Sequence, residues 1–529
     1  MQIYIEKKSK MIQLIPYPFR VAEQKGQLKI QLSTMPTVQD WLAERTFAWL
    51  RVVRDPLLKI GVGAQDETYR LEITPGGVVL TASADAGAFY GYLTLLQLLH
   101  NYKNLLPCMT IEDRPRYAYR GLMLDCGRYY FSPDDVKKIV DMCVLHKINT
   151  LHWHLTEDQG WRIEIKRYPL LATKGSERSH TNFGFRRHSG FYSQREIREI
   201  VEYCKQRHIT VIPEIDMPGH IQSALACYPY LGCFDRNLPV ATHWGVKHDV
   251  LCAGKETTYR FLYDVLDEVC ELFDSPYIHL GGDECPKMRW ELCPHCQEKM
   301  RELGLETEDE LQSYFTNRIA QYLATKNRTA IVWNETIPTG RCDPSVAWQL
   351  WHVGDRAEAI AEDVNRTERK LIFSLSDRTY LDFPYKQLPV KMCYESDPVR
   401  DTGVRPELIV GMEASVWTEY IPDLQTVMFK ALPRLGALCE VMWSPSAGNV
   451  YENFLGRLNA YYRYLGANGL RPAPLKRAFP NRFTAWREKA WFDRRPLHWH
   501  GLHNLIDDMR VRKLAKRLAR ENPIKQLDK

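Results

Sequence analysis

The spacing of hydrophobic and polar positions divides the chain into three regions. Residues 1–113 mix short stretches of alternating polarity with one long apolar window. In residues 114–445, short apolar runs alternate with amphipathic helical windows, a rhythm typical of βα units on a parallel sheet. Residues 446–529 combine helical spacing with several prolines and a basic segment at 510–520. The pattern predicts a small α/β domain, a βα domain and a helical C-terminal region.

Two features of the first region predict local structure. Tyr69–Thr74 and residues 78–81 flank Pro75-Gly76-Gly77 as the strands of a hairpin would. Residues 84–100 form a strongly apolar window with the length of a helix. No cluster of candidate catalytic side chains accompanies them, so the chemistry is expected elsewhere.

Apolar runs in the second region have the length of buried strands. They lie at residues 121–125, 150–155, 210–216, 277–284, 330–335, 346–351, 371–375 and 408–417, and helical windows lie at 133–146, 195–207, 257–273 and 311–325. About eight units over roughly 330 residues predict a (β/α)8 TIM barrel, preceded by a small α/β domain and followed by a helical C-terminal extension. The structural alternative is an open doubly wound sheet, although the glycine-rich phosphate loop typical of that fold is not seen after the first strand.

Nearly every predicted strand of this region ends in polar or aromatic side chains. They are Asp125 and Arg128; His154, Glu157 and Asp158; Glu214, Asp216 and His220; Asp283 and Glu284; Trp333 and Glu335; Trp348 and Trp351; Tyr380 and Asp382; and Glu413, Trp417 and Glu419. In a barrel these positions converge on the C-terminal face, where enzymes with this fold have their active sites. Polar residues at the end of a single strand are readily explained as a structural ion pair. Polar residues at the ends of so many strands predict an active site. Carboxylates and indoles suit a carbohydrate, because carboxylates accept from hydroxyls and indoles cover apolar sugar faces.

Composition and charge narrow the possible partners. With 26% charged and 45% hydrophobic residues, the chain is neither disordered nor fibrous. No apolar run approaches the roughly 20 residues that cross a bilayer, so no membrane partner is expected. Residues 501–529 hold eight Lys or Arg and four Asp or Glu, and thus carry most of the net charge of +6. That segment lacks interleaved aromatic residues, so it predicts a solvated helix face and no nucleic-acid partner.

The N-terminus and the cysteines bear on location and metal binding. The first residues include lysines but no apolar stretch of signal-peptide length, which predicts a cytoplasmic protein, or a periplasmic or secreted one if the start is truncated. Cysteines scattered singly along apolar segments fit free thiols in a reduced compartment.

Cys293 and Cys296 form one CxxC close to Cys285. A structural zinc needs a second pair, which the sequence does not reveal, so free thiols are favoured and no metal is expected.

The sharpest motif is the pair Asp283-Glu284 within the run IHLGGDEC at residues 278–285. Adjacent carboxylates crowd like charges, which raises at least one pKa and keeps a proton available near neutrality. This suits a general acid beside an ionised partner. Gly281 and Gly282 would allow close backbone approach and leave the pocket open. The alternative is a loop in which both carboxylates simply face water.

Five motifs follow one another along the second region: LDCGRYYF (124–131), HWHLTEDQGWR (152–162), PEIDMPGH (213–220), HLGGDE (279–284) and VWTE (416–419). Together and in this order they resemble glycoside hydrolase family 20, the β-N-acetylhexosaminidases. The resemblance implies an exo-acting, retaining enzyme that releases terminal GlcNAc or GalNAc from an oligosaccharide or glycan and needs no cofactor. It also implies that the acetamido group of the substrate is the nucleophile and forms an oxazolinium intermediate.

The resemblance further implies roles for the matching residues. Glu284 would be the acid and then the base, Asp283 would hold the acetamido N–H, and Tyr380 would donate to the acetamide oxygen. The other matches are Arg128 and Glu419 for the 3- and 4-hydroxyls, Trp333, Trp351 and Trp417 for the pocket wall, Asp382 for the 6-hydroxyl, and Glu157, Asp216 and His220 as support for the acid. A buried structural pair is an equal interpretation of Asp216 and His220. The family commonly has Asp at position 157 and His at 129, and the longer Glu157 can retune the pKa of the acid.

Two rival functions stay open at this point. A catalytically silent carbohydrate-binding barrel would have no need of the Asp283-Glu284 pair. A family member that releases a disaccharide, as a lacto-N-biosidase does, would need a pocket open beyond the 4-hydroxyl. Arg128 and Glu419 are placed to close that side. The sugar preference, the linkage and the oligomeric state are left open by the sequence.

Overall fold

The structure is a computed structural model that describes residues 12–61, 65–182, 184–354, 357–445, 450–481 and 507–517. Its first part is a five-stranded sheet covered by a long helix. The strands are β1 (Arg20–Lys29), β2 (Leu50–Arg54), β3 (Tyr69–Thr74), β4 (Gly77–Ala82) and β5 (Leu105–Asp113), in the order β1-β5-β3-β4-β2. β3 and β4 pair antiparallel across the turn, so the predicted hairpin is confirmed.

Two helices belong to this sheet, α1 (Val38–Leu42) and α2 (Asp85–Tyr102). α2 is the helix predicted from the apolar window, and every residue from Gly87 to Leu99 is buried. A helix that is apolar on all sides must be covered on more than one side. One side of α2 packs on the sheet, and Tyr90 on the other side packs against Trp443 of the later chain.

Eight parallel strands close into a barrel. They are β6 (Tyr119–Asp125), β7 (Thr150–His154), β8 (Thr210–Glu214), β9 (Tyr277–His279), β10 (Thr329–Trp333), β11 (Ala347–Leu350), β12 (Leu371–Phe373) and β13 (Ile409–Val416). Each strand pairs with its neighbours in sequence, and β13 pairs with β6 to complete the ring. The predicted (β/α)8 TIM barrel is confirmed, and the doubly wound alternative is wrong.

Helices connect the strands and cover the outside of the barrel. They are α3 (Pro133–Leu145), α4 (Gln194–Lys205), α5 (Gln222–Cys227), α6 (Glu256–Leu272), α7 (Met288–Leu292), α8 (Pro294–Leu303), α9 (Glu308–Thr325), α10 (Ala357–Thr367), α11 (Ser376–Thr379), α12 (Val390–Tyr394), α13 (Pro398–Thr402), α14 (Leu424–Ala431) and α15 (Arg434–Trp443). α3 begins at a capping box of Ser132 and Asp135, and α4 at one of Ser193 and Glu196. Each box satisfies backbone N–H groups that a helix start leaves free, which fixes where these helices begin.

The barrel interior changes from apolar to polar along its axis. Ile212, Ile331, Ala347 and Ile372 form a separate small apolar cluster inside the ring. Two residues further along β8 and β11, the inward side chains are Glu214 and Gln349, both fully buried. The polar layer therefore lies at the C-terminal ends of the strands, directly beneath the predicted site.

Several strands end earlier than the apolar pattern predicts. The run at 277–284 forms a strand only over Tyr277–His279, because Gly281 and Gly282 take φ values of +64° and +98° and turn the chain away. The run at 330–335 likewise ends at Trp333 and continues as a 3₁₀ helix. The Asp283-Glu284 pair thus lies in a loop above β9 rather than at the end of a strand.

The chain after the barrel is helical where it is described. It comprises α16 (Tyr451–Ala467), α17 (Leu475–Ala478) and a helix at residues 507–517. In that last helix Arg510, Arg512 and Lys513 are exposed while Val511 is buried, as expected for a solvated basic face. Residues 518–520 of the basic segment lie outside the described residues, and the domain limits at 113 and 445 stay predictions. Among the described helices, none has both the length and the apolar character needed to cross a membrane.

Candidate active site

A buried layer of polar side chains forms the floor of the site. His152 lies between two carboxylates, with Nε2 3.0 Å from Glu214 and Nδ1 2.8 Å from Glu413. Glu214 also contacts His154 and accepts a hydrogen bond of 3.0 Å from Trp333 Nε1. Burial acts to raise the pKa of Glu214, but the surrounding histidines hold it well below its usual value. The floor is therefore a buried network of ion pairs and hydrogen bonds beneath the site.

Asp216 sets the path of the loop that carries the Asp283-Glu284 pair. Its Oδ1 accepts a hydrogen bond of 3.2 Å from the backbone N–H of Gly282. A Cβ atom at Gly281 would lie only 1.9 Å from the same Oδ1, so only glycine fits beside this carboxylate. Because this side-chain hydrogen bond goes to the loop backbone, Asp216 is a positioning group for the carboxylate pair.

Asp283 and Glu284 meet at His220, whose Nε2 lies 3.7 Å from Asp283 Oδ2 and 3.5 Å from Glu284 Oε2. The side chain of Asp283 is 13% exposed and that of Glu284 is 45% exposed. The alternative of two carboxylates that simply face water is therefore wrong. His220 and Glu284 both adopt left-handed backbone angles, each with φ of +48°, a strain that is common at functional sites.

The two neighbouring carboxylates titrate in opposite directions. Burial raises the pKa of Asp283 to about 6, and the charge of Glu284 adds to this although His220 opposes it. Interaction with His220 lowers the pKa of Glu284 below its usual value, against the effect of burial. One pKa of the pair is raised, as the crowding of like charges predicts, but the raised group is Asp283 and the larger cause is burial.

His220 links the pair to a second ion-pair network. Its Nδ1 lies 3.3 Å from Glu157 Oε1 and 3.5 Å from Asp158 Oδ2. Burial alone would lower the pKa of His220, but the surrounding carboxylates raise it well above its usual value, so the ring is protonated. Burial likewise acts to raise the pKa of Glu157, and Arg128 and His220 together hold it well below its usual value.

Arg128 lies in the mouth of the barrel among three carboxylates, one of which, Glu157, also contacts His220. Its guanidinium lies 2.6 Å from Glu157, 3.2 Å from Asp125 and 3.5 Å from Glu419. The guanidinium carbon also lies 5.0 Å from the ring centroid of Trp417, in cation–π geometry. The guanidinium is held in place from several directions before any ligand arrives.

Four aromatic side chains line the mouth between Asp283 and Arg128. Trp333 lies 5.8 Å from Trp417 between ring centroids, Trp417 lies 6.1 Å from Tyr380, and Tyr380 lies 6.3 Å from Trp351 at an interplanar angle of 15°. Burial raises the pKa of the Tyr380 phenol well above its usual value, so it stays protonated and can donate. Such a wall of ring faces suits the apolar face of a sugar.

Asp382 lies close to Glu419 on the same side as Arg128. Burial raises its pKa to about 7, and the charge of Glu419 adds to the shift while Lys430 opposes it. Its Oδ1 is buried and accepts no hydrogen bond within the described structure. The predicted site residues are thus brought together around one mouth, in contact or through shared partners.

One further carboxylate belongs to the mouth and had no predicted role. Glu335 Oε1 accepts a hydrogen bond of 2.8 Å from Trp351 Nε1. Burial raises its pKa to about 8, and the charge of Asp283 adds to the shift. Its position two residues after Trp333, within the ring of strand ends, was the only sequence signal. That signal identifies the mouth but not which neighbours Glu335 faces.

Groups able to hold a metal fall into two kinds. In the mouth, histidines and carboxylates approach within 4.8 Å of one another in several combinations, such as His220, Asp283 and Glu284. These histidines are already paired with carboxylates. Outside the mouth, Cys233, Cys252, Cys293 and Cys296 bring four sulfurs within the same distance. The interpretation that the CxxC lacks a second pair is therefore wrong, and Cys285 is not part of this group.

Comparison with known proteins places these observations in a family. The family model "Glycosyl hydrolase family 20, catalytic domain" matches residues 117–446, and "Glycosyl hydrolase family 20, domain 2" matches residues 57–114. A beta-hexosaminidase of Porphyromonas gingivalis is 36% identical over an alignment 539 positions long, gaps included, which covers 92% of this chain and 68% of that relative.

Solved structures of similar proteins agree with this match. A beta-N-acetylhexosaminidase from Bacteroides fragilis superposes with a TM-score of 0.77 at 32% identity, covering 89% of this chain and 99% of that one. A mutant Streptomyces plicatus beta-hexosaminidase in complex with its product GlcNAc gives a TM-score of 0.74 at 32% identity, covering 87% and 96%. The chain therefore belongs to glycosyl hydrolase family 20 and is a glycoside hydrolase of its β-N-acetylhexosaminidase group.

Proposed function

We propose that this chain is an exo-acting, retaining β-N-acetylhexosaminidase that releases a terminal GlcNAc or GalNAc by substrate-assisted catalysis. The observation that carries the proposal is the arrangement of Asp283 and Glu284 around His220. Two adjacent carboxylates act from one side of the sugar, so they cannot supply a nucleophile and an acid on opposite faces. A substrate that brings its own nucleophile removes that need.

In the first step the acetamide oxygen of the substrate attacks C1 while Glu284 protonates the glycosidic oxygen. The C1–O bond breaks, its electron pair stays with the leaving oxygen, and an oxazolinium ring forms. Asp283 accepts from the acetamido N–H and stabilises the developing positive charge. Its buried Oδ1, which accepts no hydrogen bond within the described structure, supports this role. Tyr380 donates to the acetamide oxygen and aligns it for attack.

In the second step the ionised Glu284 removes a proton from water, and the water oxygen attacks C1 as the ring opens. Two successive inversions at C1 retain the anomeric configuration. Glu284 needs a proton at the start, yet its pKa is lowered in the free enzyme. We infer that a bound sugar, which covers the exposed part of this side chain, raises its pKa by desolvation and prepares the acid.

Exo action is supported by the ion pair of Arg128 and Glu419, which would close the pocket beyond the 4-hydroxyl. Arg128 and Glu419 lie 3.5 Å apart where the 3- and 4-hydroxyls of a terminal sugar would sit. In this proposal Asp382 accepts from the 6-hydroxyl, and the aromatic wall of Trp333, Trp351 and Trp417 covers the sugar ring and the acetamido methyl. The S. plicatus relative was solved with a single GlcNAc as its product, which fits a pocket for one sugar.

The proposal is tested by replacing each carboxylate with its amide. Glu284→Gln should reduce turnover of a natural disaccharide about 10²–10⁴-fold, because the leaving oxygen loses its proton donor. Activity on an aryl glycoside with an acidic phenol should fall less, since that leaving group needs no proton. Asp283→Asn should slow both substrates about 10²–10³-fold, because the positive charge of the intermediate loses its partner.

Matched controls are available at exposed carboxylates. Glu302→Gln and Asp274→Asn make the same chemical changes at side chains that are 54% and 69% exposed, and both should keep wild-type rates. Near wild-type turnover of the disaccharide by both site variants would overturn the proposed mechanism. Release of a disaccharide from a longer glycan would overturn exo action on a single sugar.

A further inference from the structure

Four cysteine sulfurs converge at one point beside the loop that carries Glu284. Cys233 and Cys252 come from the segment between α5 and α6, and Cys293 and Cys296 from the start of α8. The Sγ atom of Cys252 lies 3.7 Å from that of Cys293 and 3.6 Å from that of Cys296, and the Cys233 and Cys296 sulfurs are 4.0 Å apart. All four sulfurs lie within 4.8 Å of one another.

These separations match the edges of a tetrahedron around a metal ion. Zinc binds thiolate at about 2.3 Å, so four thiolates in tetrahedral geometry have sulfurs about 3.8 Å apart. A disulfide would bring two sulfurs to about 2.05 Å. None of the 14 cysteines, all within the described residues, is paired in a disulfide. The sulfurs are thus too far apart to be bonded and have the mutual spacing of shared ligands.

The backbone around the cluster holds the four residues in place independently of the sulfurs. Cys252 donates its backbone N–H to Leu231 O at 2.8 Å, and Trp290 Nε1 donates to Leu251 O at 2.9 Å. A Cβ atom at Gly254 would come within 2.2 Å of the His295 carbonyl, so the two segments are in direct backbone contact there. The site is built by packing, as a preformed metal site must be.

Burial and ligand chemistry favour a closed site. Cys252, Cys293 and Cys296 are fully buried and Cys233 is partly exposed. Four sulfur ligands in tetrahedral positions leave no coordination position for water or substrate, which distinguishes structural from catalytic zinc. The positions of the four cysteines in the sequence explain why this site was not predicted. Only Cys293 and Cys296 form a CxxC, and their partners lie 41 and 63 residues away.

We propose that Cys233, Cys252, Cys293 and Cys296 bind one structural Zn²⁺ as four thiolates. Binding releases the thiol protons that remain at neutral pH, and the ion compensates half of the charge of the four thiolates. The site fastens the segment that follows His220 to the segment that follows Glu284. The zinc thereby stabilises the two loops that carry the acid and its partner histidine. This inference does not depend on the proposed reaction mechanism.

The first test is metal analysis of the full-length chain purified without chelators. Mass spectrometry of the digested protein should find stoichiometric zinc, which a thiol-modifying mercurial releases. X-ray absorption at the zinc edge should show four sulfur neighbours at about 2.3 Å. Zinc far below stoichiometry in protein refolded with added zinc, iron in its place, or these cysteines joined as disulfides would overturn the proposal.

The second test uses single cysteine variants. Cys252→Ser and Cys293→Ser should bind zinc with reduced stoichiometry and unfold at lower temperature than wild type. Cys270→Ser is the matched control, because Cys270 is a free thiol outside the cluster, and it should keep full zinc. Unchanged zinc content in both cluster variants would contradict the assignment, and the wild-type measurement remains decisive if either variant fails to fold.

Discussion

At the scale of single residues, the pKa values of Asp283 and Glu284 depend on burial and on the nearby His220. The sequence alone identified the Asp283-Glu284 pair, because two carboxylates after a glycine pair are a local pattern. It could not tell which of the two has the raised pKa. That depends on burial, which differs between 13% and 45% exposure, and on His220, which lies 63 residues before Asp283. A local motif cannot predict a pKa that depends on burial and on a residue far away in the sequence.

Because the pKa of Asp283 is raised, replacing this residue by an uncharged one should stabilise the folded protein. The gain should depend on pH. A carboxylate whose pKa is raised to about 6 in the folded state favours folding at low pH, and this contribution is lost as the pH rises from about 4 through about 6. Asp283→Asn should therefore raise the free energy of unfolding at pH 7.5 by up to about 3 kcal/mol, although it slows turnover about 10²–10³-fold.

The measurement is the thermal midpoint of wild type and Asp283→Asn at pH 4 and pH 7.5. The midpoint of the variant should exceed that of wild type at the higher pH only. Asp274→Asn, at an exposed side chain, should show no such difference. An equal effect at both pH values, or a loss of stability at pH 7.5, would contradict the charge balance described for Asp283.

At the scale of elements, the strands and helices were predictable but their ends were not. Hydrophobic spacing located all eight barrel strands and four of the helices around them, because burial of one helix face or of a whole strand leaves a periodic trace. The run at 277–284 has the composition of a strand to its end, yet β9 stops at His279. The cause is the positive φ at Gly281 and Gly282, held by a hydrogen bond from Gly282 to Asp216.

Gly281→Ala tests whether this turn positions the carboxylate pair. The new Cβ would collide with Asp216 Oδ1 at 1.9 Å, and the φ of +64° adds strain. We expect a loss of stability of about 1–3 kcal/mol. We also expect a loss of kcat/KM of about 10²-fold, because a displacement of about 1 Å at the reacting groups costs that much.

Gly469→Ala is the control for this experiment. Gly469 has a comparable φ of +77°, and its added Cβ would have no neighbour within 4 Å. It should therefore reproduce the strain without the collision and keep its activity. Equal activity of the two variants, measured as kcat/KM on an aryl glycoside, would show that the turn at Gly281 does not position the site.

At the scale of the whole molecule, buried ion pairs join the first sheet to the barrel. Asp113, the last residue of β5, accepts hydrogen bonds from Lys147 Nζ at 3.0 Å and from Trp443 Nε1 at 2.9 Å. The change in the spacing of hydrophobic residues predicted the division into regions. It could not predict the contacts between the regions, because Asp113 and Trp443 are separated by 330 residues and neither belongs to a motif.

Asp113→Ala should destabilise the whole chain by about 3–5 kcal/mol, because it leaves the ammonium of Lys147 buried without its partner. The urea midpoint of unfolding should fall, whereas kcat/KM of the folded enzyme should stay unchanged. The exposed pair of Lys205 and Asp274 offers a control, and Asp274→Ala should leave the midpoint almost unaltered. A midpoint equal to wild type for Asp113→Ala would show that this contact does not stabilise the assembly.

The most direct test of the central claim, that the substrate supplies the nucleophile, changes the substrate rather than the protein. Aryl β-glucosaminides with one leaving group and with acetyl, fluoroacetyl, difluoroacetyl or trifluoroacetyl on the 2-amino nitrogen form a graded series. Each fluorine withdraws electrons from the amide oxygen, so kcat/KM should fall stepwise along the series if that oxygen attacks C1. A constant kcat/KM across the series would contradict the account, because it would mean that a group of the protein or water forms the first bond to C1.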